Sequence, residues 1–276
     1  MSSLTMSIPA PRTPAEQALR DADPQRALQL LQEQVRAKPA DARLRIFLFQ
    51  LLAVLGQWDR ALTQLGVVAE LDASALPMVQ TYRETIQCER LRAQVFAGRK
   101  VPMLMGEPEP WLALLVEALL RDGRGEAEAA AQLRAQALDQ APATPGEADG
   151  QAFEWFADAD TRLGPVVEAV INGRYCWVPV NRLAELRFEP PTDLRDRVWT
   201  AAQFLFSNGG ETVAFVPTRY AGTALDVGPL ALAQRTDWAE PQPGTCIGSG
   251  QRCFATDVAD LPLMDLRSVQ LRPVHE

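Results

Sequence analysis

Apolar residues recur at helical spacing through the first half of the chain, and that pattern itself repeats after 34 positions. Shifted by 34, Ala27 falls on Ala61, Leu28 on Leu62, Leu31 on Leu65 and Val35 on Ala69. This is the period of helical hairpins that cannot bury their apolar faces alone and must stack. In the first hairpin, Thr13-Pro14-Ala15-Glu16 supplies a capping hydroxyl, then Pro at the first helical position. The turn Asp21-Ala22-Asp23-Pro24 opens a second helix with Ala27, Leu28, Leu31 and Val35 on one face, stopped by Pro39. In the second hairpin Asp41 caps a helix bearing Leu44, Leu48, Leu51, Leu52 and Leu55. The turn Gly56-Gln57-Trp58 then leads to Ala61, Leu62, Leu65 and Val68. Tyr82 to Phe96 reads as a further helix, and Trp111–Leu120 with Glu126–Leu138 as a third, irregular hairpin.

Beyond Ala141 the pattern changes. Tyr175 to Val180 and Thr212 to Pro217 alternate as strands and run into proline. Val166 to Asn172 is expected as a short helix ended by Gly173, and Asp193 to Phe206 as a longer one ended by Asn208-Gly209-Gly210. Short strands are expected near 231–235, 251–256 and 266–271. The predicted fold class is multi-domain α+β: tetratricopeptide-like helical hairpins followed by a C-terminal α+β domain with short strands. The expected bounds are a lead-in over 1–13, the repeat domain over 14–141, a linker over 142–150 and the α+β domain over 151–276.

The charge is uneven. The net value of −8 divides into −1 over residues 1–141 and −7 over 142–276. No basic stripe is present to neutralise phosphates, which argues against nucleic acid and for a neutral or basic protein partner. Apolar content of 47% suits a globular chain, and no apolar run has the length of a membrane span. The N-terminus lacks a basic segment followed by an apolar core, so no secretory signal is expected. Four scattered cysteines fit reduced thiols in a cytoplasmic protein.

Candidate chemistry is sparse. His275 is the only histidine, which works against a Ser/His/Asp triad, a Cys/His pair or a His-rich zinc site. Asp158-Ala159-Asp160 could hold a divalent cation, as in a metal-dependent nucleotide-sugar transferase. The bland reading has both carboxylates capping a helix near Val166 and pairing with Arg162. Gly248-Ser249-Gly250-Gln251-Arg252 lacks the Lys-Ser/Thr of a phosphate-binding loop and reads as a turn before a strand. Tyr175, Trp177, Trp199, Tyr220 and Trp238 are core aromatics or, less simply, a partner patch. Arg162, Arg195, Arg219 and Arg235 recur beside Asp or Tyr and suggest structural ion pairs. No cofactor and no catalytic residue is expected. Stacked hairpins do form a groove for another protein's helix, and the repeat phase places Arg12, Glu16, Leu19, Arg20, Arg43, Ile46, Gln50 and Ala53 along it.

Six strings in order carry a resemblance. They are Asp158-Ala-Asp160-Thr-Arg162-Leu-Gly164-Pro165 with Glu168, Gly173-Arg-Tyr175-Cys-Trp177-Val-Pro179, Pro191-Thr-Asp193-Leu-Arg195-Asp196 with Trp199, Phe215-Val-Pro217-Thr-Arg219-Tyr220, Arg235-Thr-Asp237-Trp238, and Gly248-Ser-Gly250-Gln251-Arg252. Behind the helical repeats, this series resembles the ImpE/TagJ family of type VI secretion accessory proteins, over about residues 14–272. The resemblance implies a non-enzymatic cytoplasmic protein associated with the N-terminal helix of the small sheath subunit, TssB. It also implies a link to ClpV, the ATPase that disassembles contracted sheaths. A general helical-repeat scaffold or chaperone outside secretion is the alternative.

Overall fold

A computed structural model describes residues 13–107 and 109–272. The helices are α1 (Pro14–Arg20), α2 (Pro24–Ala37), α3 (Ala42–Val54), α4 (Trp58–Leu71) and α5 (Leu76–Phe96), then, after strand β1 (Met103–Leu104), α6 (Pro110–Gly123) and α7 (Ala127–Gln140). The expected caps hold the first turns. Thr13 Oγ1 accepts the Glu16 amide at 3.2 Å, and Asp41 Oδ1 accepts those of Arg43 and Leu44 at 3.0 and 3.2 Å. Ala27, Leu28, Leu31, Leu48, Leu51, Leu52, Ala61, Leu65 and Val68 bury in one core, so the 34-residue echo is a pair of stacked helical hairpins.

The second half holds the remaining strands: β2 (Gly146–Ala148), β3 (Gln151–Phe153), β4 (Phe156–Asp158), β5 (Val166–Ile171), β6 (Arg174–Pro179), β7 (Leu183–Phe188), β8 (Trp199–Phe206) and β9 (Glu211–Pro217). A one-turn helix, α8 (Gly228–Ala231), precedes β10 (Thr236–Gln242), β11 (Thr245–Gly250), β12 (Cys253–Thr256), β13 (Asp260–Pro262) and β14 (Ser268–Leu271). Among the described residues, nine strands form one sheet in the order β1-β6-β5-β9-β8-β7-β14-β2-β3, a smaller sheet runs β13-β12-β4, and β10 pairs with β11 as a separate hairpin. One face of the large sheet packs Val167, Ala169, Val178 and Phe204 against Phe156 and Phe254 of the small sheet. On the other face Val166, Val170, Tyr175 and Trp177 meet Cys88 and Val95 of α5 and Trp111 and Leu115 of α6.

Three secondary-structure expectations fail here. Val166–Asn172 is not a helix but strand β5, buried on both faces. Asn172 (φ 49°) and Gly173 (φ 70°) make the two-residue turn that pairs Ile171 with Arg174 of β6. Asp193–Phe206 is not one helix. A single 3-10 turn, Leu194–Arg197, gives way to β8, and Asn208-Gly209 turns that strand back into β9. The strand expected near 231–235 is instead the end of α8 and a turn, with strand beginning at Thr236. The stretch expected as a linker over 142–150 contributes β2, which pairs with β14.

Candidate partner-binding site

The repeat face falls into two zones. Towards its open end, α1 presents half-buried Glu16 and Leu19 and exposed Arg20, and α3 presents exposed Arg43 and half-buried Ile46. Leu19 and Ile46 both rest on the repeat core, an apolar floor with charged neighbours. Arg12 lies outside the described residues. Further along α3 the groove expected from the repeat phase is closed: Gln50 is 6% exposed and Ala53 is fully buried. Both are therefore corrected from groove lining to internal contacts.

The occluding atoms come from the C-terminal half. Leu194 of the 3-10 turn packs on the repeat core, and the Arg195 guanidinium lies 5.1 Å from the centre of the Tyr82 ring. Trp199 stacks obliquely on Trp58 and Tyr82 at 5.9 and 5.5 Å, with Phe49 and Phe215 also against Tyr82. The Trp199 indole donates to Glu89 at 3.0 Å. Arg219 reaches through this interface to donate to the carbonyls of Val54 and Ala231, each at 2.6 Å. Those carbonyls end α3 and α8, where the helix dipole favours a cation. Burial lowers the Arg219 pKa to about 10. At a third contact, a Cβ on Gly228 would sit 1.7 Å from the Ala22 carbonyl, so only glycine lets α8 approach the first repeat's turn.

Beneath the interface runs a buried chain of charge. Arg92 on α5 donates to Glu168 on β5 at 2.7 and 3.0 Å, Glu168 is shared with Arg252, and Arg252 also grips Asp158. The Tyr175 hydroxyl donates to Glu168 and accepts the Trp177 indole at 2.8 Å. Burial by itself would raise Glu168, but its two guanidiniums overcome that and hold it near 2. Asp158 has a single guanidinium and Asp160 as neighbour, and burial pushes it up to about 7.

The same network engages both carboxylates of Asp158-Ala159-Asp160. Asp160 accepts from Arg162, as expected, and from the Gly248 amide at 3.1 Å, so the glycines of that string end strand β11 against a carboxylate and Gln251-Arg252 lead into β12. No helix follows for Asp158 and Asp160 to cap, and Asp158 pairs with Arg252 instead of Arg162. Among the described residues no group of three His, Cys, Asp or Glu side chains is placed to hold a metal ion. Arg195 and Arg235 pair with Asp193 and Asp237, as the string pattern suggested. Tyr175, Trp177, Trp199 and Tyr220 are core, whereas Trp238 is 44% exposed. Burial raises the Cys88 thiol to about 12 and Cys176 to about 11, which leaves both poor nucleophiles. Sequence reasoning passed over Glu89 and Arg92. The signal was a charged residue in register with Cys88 and Val95, on the buried face of α5.

The comparisons agree with this architecture. A model of the ImpE protein family matches residues 150–270, and a tetratricopeptide repeat model matches residues 18–81. The type VI secretion system accessory component TagJ of Pseudomonas aeruginosa is 52% identical over 260 residues, 94% of this chain and 91% of that protein. A Vibrio parahaemolyticus protein of known crystal structure superposes with a TM-score of 0.87 at 27% identity, over 96% of this chain and 98% of that one. With buried helical repeats, an ImpE-matching sheet domain and a relative alike along nearly its whole length, the chain belongs to the ImpE/TagJ family.

Proposed function

We propose that this chain is a non-enzymatic adaptor of the type VI secretion system, acting in the cytoplasm on the contractile sheath. It holds the N-terminal helix of the small sheath subunit TssB and modulates the disassembly of the sheath by ClpV. The observation that carries this reading is the 52% identity, along 94% of the chain, to a TagJ accessory component. The structure supports a binding role in two ways. Asp158, Asp160 and Glu168 are each engaged by arginine inside the protein, and α1 with the first turns of α3 offers Leu19 and Ile46 on an apolar floor. Glu16, Arg20 and Arg43 beside them give a charged rim suited to an amphipathic helix.

The test is a titration with a peptide of the cognate sheath subunit's N-terminal helix. Ile46→Asp is expected to weaken binding by about tenfold or more, because a carboxylate would be desolvated against an apolar partner face. Circular dichroism should show the fold intact. Binding unchanged in Ile46→Asp moves the site off the repeat face; no binding by the wild type removes the sheath helix as the ligand. Gln50→Ala, being internal, is expected to change stability and leave affinity alone.

A further inference from the structure

A second surface lies in the C-terminal half, on residues separate from Leu19 and Ile46. A groove of about 440 Å³ opens between the end of α7 and the outer face of the small sheet. Its floor is made of small side chains, Ala157 on β4, Ala159 just after it and Ala255 on β12. Its walls are Trp155 on one side and Leu138 with Pro142 on the other. The register explains the floor: Ala255 pairs directly with Ala157 on one flank and with Asp260 on the other, so all three side chains point to the same face. Trp155 is 38% exposed, and Val258 in the adjoining β12–β13 turn is 50% exposed. An indole kept in water beside an alanine floor is apolar surface available to a partner.

The edge of the groove has one sign. Asp257 accepts the Glu154 amide at 2.8 Å, which fixes its carboxylate beside Trp155. Glu154, Asp257 and Asp260 are all exposed, and Asp260 lies in register beside Ala255 on the groove face. Among the described residues none of these three has an ion pair, and no Lys or Arg lines the groove. An apolar trough bordered along its small-sheet side by unneutralised carboxylates selects for apolar side chains flanked by cations. We propose that this groove is a docking site for an apolar protein segment flanked by lysine or arginine, with Trp155 as the anchoring contact.

The test uses the full chain and a short fluorescent peptide of alternating leucine and lysine, followed by anisotropy. A matching peptide with glutamate for lysine is the control. The wild type is expected to bind the lysine peptide, more weakly as salt rises, and to ignore the glutamate peptide. Ala255→Phe fills the trough without changing charge, and Trp155→Ala removes the exposed wall with little demand on the fold. Each is expected to weaken binding by about tenfold. Asp257→Asn with Asp260→Asn should weaken it several-fold and flatten the salt dependence. Equal affinity for the two peptides, no wild-type binding, or affinity untouched by both Ala255→Phe and Trp155→Ala overturns the proposal. The sheath peptide is absent from this assay, so the result is independent of where, or whether, that helix binds.

Discussion

Among the described residues Arg219 is a buried cation with no carboxylate in contact; its partners are the terminal carbonyls of two helices that belong to different halves of the chain. Replacing it with methionine keeps the bulk but leaves both carbonyls in a dry interface without donors. The expected cost is about 2–4 kcal/mol, read from urea unfolding, and lysine should restore only part of it. Asp158 and Glu168 give opposite pH dependences. Between pH 3.8 and about 7 the folded chain keeps a proton on Asp158 that the unfolded chain has lost, so stability falls as pH rises through that window. Glu168 is ionised in the folded chain down to about 2, so its contribution is full above 4.5 and is lost as pH falls towards 2. In urea titrations at a series of pH values, Asp158→Asn is expected to flatten the decline on the neutral side and leave the acid limb in place. A decline that persists in Asp158→Asn would assign it to another group. At this scale the sequence was informative about types and silent about partners. Arg162 with Asp160 could be read from adjacency, but the link from Arg252 to Asp158 spans 94 positions and needs the fold.

Elements were legible where one period dominated and misread where two signals competed. The repeat helices carry apolar residues every third or fourth position for several turns, with caps at Thr13 and Asp41, and they stand where the pattern places them. Val166–Ile171 is apolar at every position but one, a run that fits a strand buried on both faces as well as a short buried helix. The deciding evidence was local. Asn172-Gly173 is a turn of the kind that reverses a strand within two residues, as does Asp149-Gly150 between β2 and β3, and Asn208-Gly209 lies in the longer turn over 207–210 between β8 and β9. Read as helix stops, the first and last of these glycine turns turned two strands into helices. The groove was half legible for a different reason. Repeat phase puts Gln50 and Ala53 along the groove, but only the tertiary fold reveals that Leu194, Trp199 and Arg219 already cover that part of α3.

Over the whole molecule, the helical half and the sheet half share one interior. Phe49, Tyr82, Trp58, Trp199 and Phe215 form a continuous aromatic contact across the interface, and Arg92 ties α5 to β5. Unfolding is therefore expected as one calorimetric transition. A fragment of residues 1–141 would expose Phe49, Val54, Tyr82 and Val95, and is expected to bind a hydrophobic dye and to melt without a cooperative step. Two resolved transitions in the full chain, or a fragment with a sharp melt, would show that the halves fold separately. The capped end of α3 also fixes how large the repeat array can be. Ordinary solenoids lengthen by duplicating a hairpin, because each unit meets only its neighbours. A hairpin inserted after α4 would part Tyr82 from Trp199 and strand Arg219 against the wrong helix end. The unit number here is thus set by the sheet, and a longer array would require a different protein behind it.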